Sequence, residues 1–357
     1  MRMTVFRSTG LAALILLVAS PASAADSSGA RVAEEFARPA LAALAGSGET
    51  LTGAIGALCA APDAEKLEAA RTAFGAVVDD WGRVSVLRFG PLATGNRFER
   101  LFFWPDPRGL GLKQIQQVLA ARDENAATPE GLSQKSVAAQ GLPALEFALF
   151  GTGAESLAAT DDPYRCRYAA AAARNIANVV ATVSEGWADG SDFAAAFASP
   201  AADTDPYRSA AEVDGEIVKA ADTAFQYIRA AELLPPLGKA IGEANGRRAP
   251  LWRSGLSFRL MLAQIAGVRD LVAVAGYAGT GPAGTSEIVA ALDAELETAR
   301  AGLAGVATPP QDAFADEADR ARIGAANLAL DHAGHVVADR LAPALGLTMG
   351  FNALDGD

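Results

Sequence analysis

Apolar residues recur at three- and four-residue steps along most of this chain, and strand-like alternation is scarce. Leu67, Ala70, Phe74, Val77, Val78, Trp81 and Val84 form one such stripe; it predicts a helix over 63–87 with Asp63 as its cap. An earlier stripe of Val32, Phe36, Ala40 and Leu44 predicts a helix over 31–45, kinked at Pro39. Further helices are expected over 112–121, 137–150, 163–187, 206–234, 254–275, 285–303 and 313–341. Asp162-Pro163 and Asp205-Pro206 each set a capping acid before a proline suited to the first helical position, and Pro235-Pro236 stops the helix begun at 206. Between 89 and 110 the pattern fails: Gly90, Pro91, Gly95, Pro105, Pro107 and Gly109 surround Phe102, Phe103 and Trp104. A long aromatic loop in a helical chain is either packed over the bundle or functional. The expected class is all-α, two helical-bundle domains over 25–204 and 205–357, divided where Pro and Asp cluster.

The first residues change the picture of where the protein works. Arg2 and Arg7 precede an apolar run over 11–19, which ends in Pro21-Ala22-Ser23-Ala24. That order is the layout of a secretory signal peptide over 1–24, cleaved after Ala24. The run is about half of the ~20 apolar residues a spanning helix needs. No cysteine lies near the cleavage point to carry a lipid anchor, so soluble export to a bacterial periplasm is expected. Residues 25–357 hold 28 basic and 42 acidic side chains, a net charge of −14. This acidity argues against nucleic-acid partners and anionic membranes, and no later stretch is apolar enough for a membrane span. In an oxidising compartment Cys59 and Cys166 are expected to form a disulfide; two small buried thiols are the alternative.

Candidate chemistry is sparse. His332 and His335 are the two histidines, and with Asp339 they can share a helical face and hold a divalent metal, or simply form a polar face. No nucleophile elbow or phosphate loop is present. Glu146 stands out because Leu145 and Phe147 flank it in an apolar run. A buried carboxylate needs a cation, a metal or several donors, and Arg83, Arg88 and Arg97 are the nearest candidate partners by pattern. A salt bridge between bundle helices is the plainer reading.

Gly141-Leu142-Pro143-Ala144-Leu145-Glu146 resembles the G-x-H-x-x-E segment of the imelysin family, also called insulin-cleaving metallopeptidase-like. Leu87-Arg88-Phe89-Gly90-Pro91, Phe102-Phe103-Trp104-Pro105-Asp106, Trp252-Arg253-Ser254 and the closing segment over 345–357 resemble the family's other pieces in order. The resemblance implies an all-α, two-bundle envelope protein linked to iron uptake, with envelope iron-uptake proteins as partners and a divalent or ferric ion as cofactor. It also implies a metal-binding His and Glu, but the His position here is Pro143, which has no ligand atom. The reading that follows is a periplasmic, non-catalytic accessory or binding protein tied to iron or another metal. In it Glu146 serves a cleft with Arg88 and Trp104. The alternatives are a metallopeptidase with displaced ligands, including His332 and His335, and a metal-free envelope interaction module.

Overall fold

The computed structural model describes residues 27–159 and 163–348; the leader read over 1–24, the Asp162 cap and residues 349–357 of the closing segment lie outside the described residues. Ser27 opens α1 (Ser28–Arg31), its hydroxyl accepting the Ala30 N–H at 3.0 Å. The helix continues through a π-turn, π1 (Val32–Ala37), into α2 (Arg38–Ala60), well past the end expected at 45. Pro39 lacks an N–H and its ring crowds the carbonyl four residues back. The helix widens to accommodate it: the Arg38 N–H reaches Ala33 O, five residues back rather than four.

Asp63 caps α3 (Ala64–Val84) by accepting the Lys66 N–H at 2.7 Å. The stretch expected as loop winds into two short helices, α4 (Gly90–Ala93) and α5 (Arg97–Leu101), before a non-helical run to Gly109. The first half is completed by α6 (Leu110–Ala121), α7 (Pro129–Ser133), α8 (Gly141–Phe150) and α9 (Pro163–Trp187), the last with its expected limits.

After α10 (Asp192–Ala198) comes α11 (Ala210–Tyr227), which starts later than expected. Its cap is Ser209, whose Oγ accepts the Glu212 N–H while the Glu212 carboxylate accepts the Arg208 N–H. A local pair satisfying two backbone donors fixes the start better than the Asp205-Pro206 signal does. A second π-turn, π2 (Ile228–Leu233), leads into α12 (Leu234–Leu237) and ends two residues before Pro235. The bundle continues with α13 (Ser257–Ala275), α14 (Tyr277–Thr280), α15 (Thr285–Ala304), α16 (Pro310–Ala313) and α17 (Glu317–His335). A third π-turn, π3 (Val336–Leu341), joins α17 to α18 (Ala342–Ala344) two residues before Pro343.

In the first half α2 packs on α3 and α9, and α8 lies against α9 and α3. In the second half α13 packs on α15 and α11, and α17 on α15 and α11. The halves meet where α3 lies along α13, closely enough that a Cβ on Gly267 would stand 2.4 Å from Arg83 O. One continuous apolar core results, from Leu41 and Phe74 through Trp81 and Phe225 to Leu330. α1 and π1 also touch α11 and α13, so the first helix serves both halves. Cys59 and Cys166 are joined by a disulfide, Cα–Cα 5.6 Å, which ties the end of α2 to the start of α9. Among the described residues there is no strand, and no helix long and apolar enough to cross a membrane.

Candidate functional site

The helix α8 is apolar on all sides, so packing buries nearly all of it and leaves Glu146 only 3% exposed. Three devices fix its position. Gly141 enters at φ +72°, and a Cβ there would stand 2.4 Å from Leu101 O. Pro143 sits in the first turn, where a missing N–H costs nothing. At the far end Arg165 donates from Nε to Ala148 O (3.0 Å) and from Nη2 to Phe147 O (3.1 Å), placing a cation on the helix C-terminus.

The partners of Glu146 come from a turn in the second half. The Ser254 N–H donates to Glu146 Oε1 at 2.9 Å. The Ser254 hydroxyl has one proton for two acceptors, the same Oε1 at 3.0 Å and Leu251 O at 2.9 Å. Leu251 holds φ +51°, a left-handed conformation that a bulky residue adopts only when its surroundings enforce it. Here the Ser257 hydroxyl, donating to Pro250 O at 2.5 Å, and the Leu256 N–H, donating to Leu251 O at 3.1 Å, close the turn. Burial pushes the Glu146 carboxyl above its usual range, while the Ser254 donors and the Arg253 charge pull the other way. Burial also lowers the Arg253 guanidinium, opposed by Glu146.

Glu146 and Pro143 line a cavity of about 170 Å³. Its walls include Phe103, Trp104, Phe147, Trp252, Arg247 and Arg253. The extended stretch after α5 thus packs Phe102 into the core and turns Phe103 and Trp104 to the cavity. Trp104 is pinned to π2 and α11: its Nε1–H donates to Ala231 O at 2.9 Å, and Tyr227 donates to its carbonyl at 2.8 Å.

Of the residues singled out in the sequence, Glu146 and Trp104 share this cavity. Arg88 does not: it pairs with Glu99 at 3.5 Å, stacks on Phe98 at 4.0 Å and lines a separate space of about 20 Å³ beside Tyr227 and Gln264. None of the three arginines expected near Glu146 reaches it, since Arg83 pairs with Asp270 and Arg97 donates to Pro91 O. The cation beside Glu146 is Arg253. His332 lies 3.6 Å from Glu295 and His335 3.2 Å from Asp339, both histidines half or more exposed and apart from the Glu146 cavity. Among the described residues no three His, Cys, Asp or Glu side chains gather as a metal site would require. Arg247, Trp252, Arg253 and Ser254 complete the site from turns ahead of α13, which begins at Ser257 rather than at 254; in the sequence only the Pro250–Gly255 bracket and the Trp-Arg-Ser triplet point to them.

The sequence profile of the imelysin family matches residues 37–337. Comparison with curated proteins finds no match. In fold the chain is similar to an imelysin-like protein from Psychrobacter arcticum 273-4, with 22% identity, a TM-score of 0.73, and coverage of 94% of this chain and 100% of that one. It is also similar to a protein described as an iron-regulated protein A precursor from Parabacteroides distasonis ATCC 8503, with 14% identity, a TM-score of 0.71, and coverage of 90% and 96%.

Proposed function

This chain belongs to the imelysin family, and from that premise we propose that it is an exported, periplasmic, non-catalytic binding protein associated with iron or other metal uptake, with the Glu146 cavity as its ligand site. The observation that carries this reading is the pairing of Pro143 with Glu146 on one cavity wall. The family's His position faces the cavity as a ring without a ligand atom, and the remaining carboxylate has Oε1 committed to Ser254. Catalytic zinc takes three protein ligands, so these residues do not fit a resident metal centre. The cavity instead has the features of a small-molecule site: apolar walls, a few convergent polar groups and a strained supporting turn. What supports the link to iron is the family together with the fold neighbour described as an iron-regulated protein A precursor.

The test compares growth under iron chelation of a deletion strain complemented with wild type, Glu146→Ala or Trp104→Ala, beside a peptidase assay on the purified protein. Impaired growth with either variant and no hydrolysis is the expected result. Calorimetry with ferrous, ferric and zinc ions runs in parallel. Tight binding of a bare ion that Glu146→Ala abolishes would overturn the metal-free reading of the cavity. Pro143→His, which restores an imidazole three residues before Glu146, is expected to raise affinity for zinc.

A further inference from the structure

At the joint between the halves Arg83 pairs with Asp270 and Arg259 with Asp79, and within the second half Arg229 pairs with Asp331 and Arg269 with Asp293. Arg253 and Arg247 differ. Their guanidinium groups face the Glu146 cavity and lie over the Trp252 ring, at 4.5 Å and 5.5 Å, with Phe147 also 5.4 Å from Arg253. Neither side chain has a hydrogen bond or ion pair to a protein acceptor among the described residues. The aromatic faces hold the two cations in place and leave their N–H edges unspent.

The cavity's acids do not use those edges. Asp106 accepts the Leu110 N–H on Oδ1 (2.7 Å) and the Gly111 N–H on Oδ2 (2.8 Å), which starts α6. Glu146 Oε1 takes the Ser254 donors, and its charge acts on Arg253 through space without a direct ion pair. The space of about 170 Å³ is more than ten times the ~10–15 Å³ that one water needs, so it suits a molecule rather than an ion. Ile115, Leu112 and Leu251 offer its carbon skeleton an apolar wall.

We propose that this cavity binds a small organic carboxylate, with Arg253 as the principal anchor and Arg247 as the second. A guanidinium fork matches the two oxygens of a carboxylate, and the apolar wall favours a ligand with carbon to bury over an inorganic anion. This assignment rests on the reading of the Glu146 cavity as the ligand site and names the class of molecule it takes.

The experiment is calorimetry of the purified mature protein with tricarballylate, glutarate and citrate, and with inorganic phosphate as the comparison. Measurable binding of at least one carboxylate, tighter than phosphate, is expected. Arg253→Gln should weaken it roughly 10-fold or more, as loss of a charge-assisted hydrogen-bond pair does. Arg247→Gln, at an exposed position, should weaken it by less. Arg248→Gln, on the same turn but outside the cavity, serves as the control and should leave it unchanged. The absence of binding to every carboxylate, equal or tighter binding of phosphate, or equal affinity in both cavity variants would each overturn the proposal. A growth defect of Glu146→Ala or Trp104→Ala without carboxylate binding would overturn the ligand class while leaving the site; carboxylate binding without any growth defect would do the reverse.

Discussion

Gln264 donates from Nε2 to Glu232 Oε1 at 3.0 Å in a place where both side chains are shut off from solvent. The atoms left over are Glu232 Oε2 and Gln264 Oε1, both buried and without a partner. They are complementary as soon as Glu232 carries a proton, because a carboxylic acid has the donor that the amide oxygen lacks. Burial pushes the Glu232 carboxyl up to about 8. The folded protein therefore holds a proton that the unfolded chain, with an ordinary glutamate, releases near pH 4.5. The stabilisation is complete below that pH and is lost as pH rises through about 8. Urea unfolding at pH 5, 6.5 and 8 should show stability falling by on the order of a few kcal/mol, and Glu232→Gln should flatten the slope. An unchanged slope in that variant would show that Glu232 is ionised in the fold.

Asp319 behaves in the opposite sense. It is buried on α17, and its carboxylate accepts the N–H groups of Ala307 and Thr308, the Thr308 hydroxyl and a guanidinium N–H of Arg322. These donors lower its pKa to about 2, led by the Thr308 hydroxyl. Its contribution is present above the usual aspartate range and lost as pH falls through about 2. Asp319→Ala strands several donors between α15 and α17 and should cost about 2–4 kcal/mol at neutral pH, read as a fall in the urea midpoint.

Reducing the Cys59–Cys166 bridge opens a loop of 107 residues' separation. In the chain-entropy account this should cost up to ~4–5 kcal/mol. The check is equilibrium unfolding of the wild type and a Cys59→Ser, Cys166→Ser double variant, with and without reductant. Reductant should move the first curve onto the second and leave the second unmoved.

Gly141→Ala tests how α8 is set. A Cβ at φ +72° would press on the carbonyls of Arg100 and Leu101, 2.5 Å and 2.4 Å away. A loss of roughly 2–3 kcal/mol is expected. Because α8 carries Glu146, the variant should also weaken whatever binding the cavity shows, with Gly95→Ala, where a Cβ meets open space at φ +65° away from the cavity, as the milder comparison.

The parts of this fold that were readable before the structure are those governed by local chemistry. Asp63 caps α3 as its position before an amphipathic run foretells, and α9 spans the expected 163–187. Tertiary packing overrode the rest. Gly46, Gly48, Gly53 and Gly56 suggest that the first helix has ended, yet Leu51, Ile55 and Leu58 bury against its neighbours and carry it to Ala60. At the site, the apolar flanks of Glu146 announce a buried carboxylate, whereas Ser254, 108 residues downstream, reads as the first residue of a helix over 254–275 and instead belongs to the turn before α13. The order of short motifs made the family legible even with Pro143 at the His position, and the family's profile matches residues 37–337.

The three π-turns have a mechanical meaning. One residue beyond the α-helical count turns everything that follows by about 100°. In the first helix, the bar before Pro39 addresses α11 and α13, while the bar after it addresses α3 and α9. It works as a crankshaft with two throws, cut from a single rod and set at a fixed angle. Deleting one residue within Val32–Ala37 would re-aim one throw, and the helix could then mesh with one half of the molecule only by slipping out of gear with the other.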